Sequence, residues 1–199
     1  QTEPLNLKQF IRQFEIPVIV GGCASYQAAL HLMRTGAVGV LVGVGNEGAR
    51  TTRGVLGVGV PAATAVADAA GARMRHLDET GVYCHVIADG SIRRSGDIPN
   101  AIACGADAVM IGEPLAAAAE APGRGWHWSM ATVHQSLPRG GRVRVGQAGS
   151  LEEVLCGPAH NGDGRLNLLG ALRAAMATSG FATVKELQKA EVVVTTMGG

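Results

Sequence analysis

The sequence has 199 residues, a formal charge of +1 and 29 glycines, with 47% hydrophobic and 17% charged residues. This length suits one domain with a sizeable core, and the scattered charges argue against a nucleic-acid partner. The absence of a secretory pattern and of an apolar run of roughly 20 residues predicts a cytoplasmic protein that spans no membrane.

Four short apolar segments alternate with helical segments in the first 119 residues. The predicted strands are 17–20, 38–42, 85–88 and 108–111. The helices between them are predicted to start at the cap Ser25, after Pro61, and at Ser95 or Asp97. This alternation predicts an α/β fold with a parallel sheet and right-handed crossovers. Four such units are half of a (β/α)₈ barrel, which usually needs roughly 250 residues.

The remainder of the chain has a different character. Residues 120–149 are rich in Pro, Gly, Arg and Trp, which predicts a long irregular stretch of the kind that forms lids or flaps. Ser150 and Glu153 have the spacing of a capping box, and further helices are predicted at 168–178 and 183–190. No segment looks like a linker, so residues 1–199 are predicted to form one domain.

The four cysteines are Cys23, Cys84, Cys104 and Cys156. Their wide spacing, without a CxxC pair, argues against a zinc site and against a disulfide framework. No metal site is predicted.

Glycine follows each predicted strand, in the sequences GGC, GVG, ADGS and IGE. Glycine at this position lets backbone N–H groups approach a ligand, and the next helix adds its positive dipole end. The loops after the last two strands of a (β/α)₈ barrel commonly hold a phosphate. Residues 88–91 and 111–113 are therefore candidates for phosphate binding. The alternative is that these glycines only terminate strands.

Several long segments resemble one known family. Residues 87–123 (IADGSIRRSGDIPNAIACGADAVMIGEPLAAAAEAPG) resemble the phosphate-site and flap-leading segment of IMP dehydrogenases and GMP reductases. Residues 51–68 (TTRGVLGVGVPAATAVAD) resemble the segment that follows their catalytic loop. Both ends of the chain are most similar to actinobacterial IMP-dehydrogenase-like paralogues. The resemblance implies a (β/α)₈ TIM-barrel fold, of which this chain supplies about the last four β/α units, without the N-terminal half.

The resemblance also implies ligands, partners and chemistry. Members of the family bind a purine nucleoside monophosphate (IMP or GMP) and use NAD or NADP. In these proteins a loop cysteine attacks C2 of the purine. A homo-oligomer, or another chain that completes the barrel, is the expected assembly. Asp89 matches the aspartate that holds the ribose hydroxyls. The positions that match the phosphate site are Gly90, Ser91, Gly112 and Glu113. The positions that match the catalytic loop include Gly43, Gly45 and Thr51.

Three departures from the family pattern bear on activity. Arg50 occupies the position of the catalytic cysteine, and a guanidinium cannot form the covalent intermediate. Ser91 replaces the second glycine of the ADGG motif. Glu113 replaces a phosphate-binding serine and would repel a phosphate by about 1–4 kcal/mol at about 4 Å. Arg50 would offset this repulsion if it points into the site.

Several alternatives remain open at the level of sequence. Cys23 is either a packed core residue or a replacement nucleophile, and the doublet Arg93-Arg94 lies either near a phosphate or in solvent. His127 and His134 receive no catalytic role. The protein is either an oxidoreductase of purine nucleotide metabolism or a non-catalytic nucleotide-binding or assembly partner. Another phosphate-binding barrel, such as a flavin-dependent oxidoreductase, is the third possibility.

Overall fold

The computed structural model describes residues 5–46, 51–128 and 141–193. The strands are β1 Ile19–Cys23, β2 Gly39–Val42, β3 His85–Asp89, β4 Ala108–Met110, β5 Trp126–Trp128 and β6 Arg142–Arg144. The helices are α1 Leu7–Ile11, α2 Tyr26–Met33, α3 Thr51–Leu56, α4 Ala62–Thr80, α5 Asp97–Ala103, α6 Glu113–Ala116, α7 Leu151–Cys156, α8 Leu168–Thr178 and α9 Val184–Leu187.

The first four strands form one parallel sheet in the order β1-β2-β3-β4. Val20, Val40 and Val86 lie side by side in adjacent strands, so their side chains point to the same face. Sequential order and parallel pairing are what consecutive right-handed β/α units produce. The four predicted strands are confirmed, although β1 begins two residues later than predicted and extends to Cys23.

One face of this sheet is covered by helices. Val40, Val42 and Val86 are fully or almost fully buried there, against a layer that includes Ala65 and Ala69 of α4. Alanine on the helix lets its backbone lie close to the β-branched strand residues, which gives dense packing without aromatic side chains.

The opposite face of the sheet is open among the described residues. Ile19 on β1 and Met110 on β4 are 51% and 47% exposed. A Cβ built on Gly39 would lie 3.5 Å from both Ile19 and Ile87, so these side chains lie over Gly39 on this face. In a closed barrel this face would be the packed interior.

A buried carboxylate joins elements at the amino-terminal end of the sheet. Asp107 precedes β4 and accepts hydrogen bonds from Tyr83 Oη (2.6 Å), the Val86 amide (2.9 Å) and Gln188 Nε2 (3.0 Å). Oδ2, the oxygen that accepts from Val86, also pairs with Arg73 Nη1 of α4 at 2.7 Å. Burial alone would raise the pKa of Asp107, but these hydrogen bonds and the Arg73 charge outweigh it and hold the pKa at about 2.

Some local predictions were wrong. Thr51, which the resemblance places in the catalytic loop, is the first residue of helix α3. The irregular stretch predicted for residues 120–149 contains the antiparallel ribbon β5–β6. Gly96, rather than Ser95 or Asp97, is the cap residue of α5. The capping box of Ser150 and Glu153 is confirmed, and no helix within the described ranges is long and apolar enough to cross a membrane.

Asp107 makes the stability of the fold depend on pH. A depressed pKa contributes stability that is present above the unfolded value of about 4 and is lost as the pH falls towards 2, worth about 2 kcal/mol in total. We expect Asp107→Asn to be destabilised at neutral pH and to lose less stability than the parent between pH ~5 and ~2. Urea unfolding across this pH range measures both effects. Asp78→Asn, at an exposed position of α4, is the control, and parallel pH profiles for the parent and Asp107→Asn would contradict the prediction.

Candidate functional site

The carboxyl ends of β2 and β3 approach each other unusually closely. A Cβ atom at Gly43 would lie 1.9 Å from the Asp89 carbonyl oxygen, and the φ of Gly43 is +154°. Only glycine satisfies both conditions. The loops that follow β2 and β3 therefore start in contact, and the residues they carry share one edge of the sheet.

Asn46 joins these two loops to the first helix of the site. Its backbone carbonyl accepts from the Ser91 amide at 2.9 Å, and its side-chain Oδ1 accepts from Arg53 Nη2 of α3 at 3.3 Å. Asn46 is only 8% exposed, and its Nδ2 has no hydrogen-bond partner among the described residues. Asn46 therefore binds the loop after β3 through its backbone and α3 through its side chain, which fixes the relative position of these segments.

A cleft of about 660 Å³ opens beside Asn46 at this edge. Three guanidinium groups lie along it, from Arg53, Arg93 and Arg94. The described residues of its lining are Gly45, Asn46, Arg53, Gly54, Ser91, Arg93, Arg94 and Asp97. The cleft is therefore lined mainly by hydrogen-bond donors, which suits an anion.

The carboxylate in this lining is already engaged by the backbone. Asp97 Oδ2 accepts from the amides of Arg93 at 2.9 Å and Arg94 at 2.8 Å. These two bonds fix the turn after β3, which carries both arginines into the cleft wall. Asp97 therefore positions the cations of the cleft as well as balancing their charge.

Glu113 also has a cationic partner. Its Oε2 lies 3.4 Å from Arg93 Nε, and both side chains are partly exposed. The sequence suggested that Arg50 would compensate Glu113, but Arg50 lies outside the described residues, and the compensation that the structure shows comes from Arg93. A partly exposed pair of this kind contributes at most about 1 kcal/mol to stability, but it reduces the repulsion that Glu113 would exert on an anion.

The remaining candidate residues surround the same edge. Asp89 is the last residue of β3, half-buried, and lies in register with Met110 on the open face of the sheet. Ser91 has a φ of +63°, a conformation that glycine adopts more readily. Gly90 packs against Asn46, since a Cβ there would lie 3.0 Å from the Asn46 Cβ. Thr51 is the first residue of α3, and its side chain lies outside the described part of the chain.

Cys23 is a packed thiol at the end of β1. It is buried, and its Sγ donates to the Leu41 carbonyl at 3.6 Å. Burial raises the pKa of Cys23 to about 11. The group is therefore protonated near neutral pH, and a protonated thiol is a poor nucleophile.

The ribbon β5–β6 brings His127 to the loop after β4. A Cβ at Gly112 would lie 3.2 Å from His127 Nε2, so the imidazole lies directly against the glycine that precedes Glu113. Its Nδ1 is buried and has no partner within the described ranges. His134 lies outside those ranges.

Sequence reasoning missed Asn46, Arg53 and Asp97 as members of the site. Arg53 follows the TTR run, and Asp97 follows the arginine doublet by three residues, which is the spacing of a side chain that caps backbone amides. No sequence signal distinguishes Asn46 from other polar loop residues. In the described part of the chain, no three His, Cys, Asp or Glu side chains are grouped so that they could hold a metal ion.

Comparison with known proteins shows which family this chain is similar to. Residues 5–151 match the family model of the IMP dehydrogenase / GMP reductase domain. An uncharacterized oxidoreductase of Mycolicibacterium smegmatis is 55% identical over 196 residues, which are 96% of this chain and 52% of the relative. The inosine-5'-monophosphate dehydrogenase of Methanocaldococcus jannaschii is 36% identical, over 98% of this chain and 44% of that protein.

A solved structure shows the same fold. The crystal structure of an IMP dehydrogenase/GMP reductase-like protein from Corynebacterium glutamicum superposes with a TM-score of 0.88 and 47% identity. It covers 98% of this chain, which in turn covers 53% of that chain. The chain thus spans about half the length of these relatives. The predicted (β/α)₈ class is confirmed, with four of its β/α units in this chain.

The approach of Gly43 to Asp89 can be tested by one added methyl group. We expect Gly43→Ala to destabilise the fold by about 1–3 kcal/mol, because the Cβ meets a backbone oxygen that cannot move aside easily. Gly54→Ala is the matched control, because a Cβ at Gly54 meets nothing within 4 Å and alanine is a better helix former by about 1 kcal/mol. Chemical unfolding measures both variants, and equal stability of the two would refute the proposed constraint.

Proposed function

The chain belongs to the IMP dehydrogenase/GMP reductase family, and on this basis we propose that it acts in purine nucleotide metabolism by binding the phosphate of IMP or GMP. The binding site is the cleft at the carboxyl ends of β2 and β3. The observation that carries the proposal is the convergence of Arg53, Arg93 and Arg94 on this cleft. Asp89, at the end of β3, is proposed to hold the ribose hydroxyls.

The charge balance of the cleft supports this ligand. The described lining contains three arginines and one carboxylate, that of Asp97. Glu113 lies beside the cleft, paired with Arg93, and including it leaves a formal charge of +1. Both carboxylates are already hydrogen-bonded or paired to the segment that carries Arg93. A bound phosphate can therefore accept hydrogen bonds from the arginines without facing an unpaired carboxylate. Guanidinium–phosphate hydrogen bonds are among the stronger charge-assisted ones.

The proposed role does not include thiol chemistry. Arg50 stands at the position that matches the family's cysteine, and Cys23 is a buried thiol with a pKa of about 11. Neither group can supply a thiolate to attack a purine ring near neutral pH. We therefore propose a nucleotide-binding member of an oxidoreductase family that does not form the covalent intermediate.

NAD or NADP, the cofactor implied by the resemblance, fits this cleft poorly. The lining offers guanidinium, amide and hydroxyl groups but no aromatic side chain that could stack on a nicotinamide or adenine ring. The described residues of the cleft therefore fit a phosphate rather than a dinucleotide.

The open face of the sheet indicates that more structure belongs against it. Exposed Ile19 and Met110, together with parallel strands at both edges, would favour association with another polypeptide surface. We propose that further β/α units complete the barrel, supplied by a longer polypeptide or by another chain. A homo-oligomer is the alternative.

Phosphate binding can be measured by thermal unfolding with millimolar IMP or GMP. A ligand that binds only the folded state at a hundred-fold excess over its Kd stabilises by about 2.7 kcal/mol. We expect the nucleotides to raise the Tm of the parent and of Arg173→Gln, an exposed position on α8, and to raise the Tm of Arg93→Gln less. Glu113→Gln should bind at least as well as the parent, because it removes a negative charge beside the site. An unchanged Tm of the parent would exclude the proposed function.

The position of residue 50 can be tested with an introduced thiol. We expect IMP to slow the alkylation of the thiol in R50C, because the matching cysteine of the family attacks the bound purine. Cys156, which is exposed on α7, should be alkylated at the same rate with and without IMP and serves as an internal control. Peptide mass spectrometry follows both sites. Equal alkylation of the introduced thiol in both conditions would place residue 50 away from the nucleotide, whereas IMP turnover with NAD by this variant alone would favour a decayed enzyme.

A further inference from the structure

The ribbon β5–β6 has two different faces. Trp126 pairs with Arg144, and Trp128 pairs with Arg142. Because directly paired residues and residues two apart point the same way, these four side chains share one face, which we call the Trp/Arg face. His127 points to the opposite face, where it lies against Gly112.

The Trp/Arg face combines an exposed aromatic plane with positive charge. Trp128 is 54% exposed, and both Arg142 and Arg144 are exposed. The surrounding segment, residues 121–149, contains four arginines and neither aspartate nor glutamate. The acidic groups that balance the arginines of the phosphate cleft therefore have no counterpart on this segment.

An interaction within the ribbon accounts for only part of this arrangement. The Arg142 guanidinium lies 4.5 Å from the centroid of the Trp126 ring, a cation–π contact that stabilises the ribbon itself. It does not account for the exposure of Trp128 or for Arg144. One edge of the Trp128 ring lies against Gly123, since a Cβ there would lie 2.7 Å from Trp128 Cζ3, and the rest of the ring and Arg144 remain exposed.

We propose that the Trp/Arg face is a second ligand site, which binds an anionic nucleotide with its base stacked on Trp128 and its phosphates beside Arg142 and Arg144. Stacking on an indole tolerates any base, and guanidinium groups are the preferred partners of phosphate oxygens. The face supplies the aromatic plane that the phosphate cleft lacks. The choice of a nucleotide as ligand rests on the proposed function, but the site shares no residue with the cleft.

The chain contains two tryptophans, and both lie on this face, so intrinsic fluorescence reports directly on its occupancy. The probes are NAD and AMP, with inorganic phosphate as the probe for charge alone. We expect saturable quenching by NAD and AMP but not by inorganic phosphate. For variants that lack Trp128, whose fluorescence would report binding, calorimetric titration measures the affinity instead.

Variants separate stacking from charge. Trp128→Leu should weaken AMP binding about ten-fold, which corresponds to the loss of one stacked base, whereas Trp128→Phe should retain most of the affinity. Arg144→Gln should weaken binding of AMP and make it less sensitive to salt. These positions are exposed, so we expect all three variants to melt like the parent.

Two results would overturn the proposal. The first is equal affinity of the parent and Trp128→Leu for AMP, and the second is quenching by inorganic phosphate as strong as that by AMP. Arg93→Gln distinguishes this site from the cleft: stabilisation by IMP should fall, because only the Trp/Arg face still binds it, while quenching by AMP persists. If Arg93→Gln lost both the stabilisation by IMP and the quenching by AMP, the chain would have a single nucleotide site, and this result would also overturn the proposal.

Discussion

The candidate site depends on how closely the ends of β2 and β3 approach each other. Gly43 passes the Asp89 carbonyl with no room for a side chain, and three residues later the Asn46 carbonyl accepts from the Ser91 amide. These contacts set the distance between the two loops before any charged residue is considered. Arg53 on one side of the cleft and Arg93 on the other are held at their separation by this backbone arrangement.

Charge at the site is organised by carboxylates that bind to the backbone or to neighbouring cations. Asp97 fixes the turn that presents Arg93 and Arg94, and Glu113 pairs with Arg93. Concentrating three guanidinium groups without such partners would destabilise the folded state through their mutual repulsion. Because two carboxylates balance three cations, the cleft keeps a positive charge at a low cost in stability. At the other end of the sheet, Asp107 is likewise paired with a cation and with hydrogen-bond donors, and these contacts join β3, α4 and the end of α9.

The sequence alone was sufficient to predict the structural features that depend on a local pattern of residues. Buried strands are continuous apolar runs, and the capping box at Ser150 is a spacing rule, so both were predictable. Resemblance to a family supplied the fold class and the identity of the loops at the site. Neither source revealed that Arg93 pairs with Glu113, because that contact joins the loop after β3 to the start of α6 and depends on their placement in three dimensions. The short strands β5 and β6 were missed for a related reason: each has three residues, and the ribbon depends on pairing across a long connection.

The two main departures from the family pattern change the charge of the site in opposite directions. On the proposed match to the family, Arg50 in place of the cysteine would remove the nucleophile and add a cation, and Glu113 in place of a serine would add an anion. Since Arg93 already pairs with Glu113, the cation at residue 50 is not required to neutralise that carboxylate. If both loops keep the arrangement proposed above, the two replacements cancel in formal charge. The attraction for a phosphate then depends on Arg53, Arg93 and Arg94, and the proposed loss of the thiol removes only the covalent step.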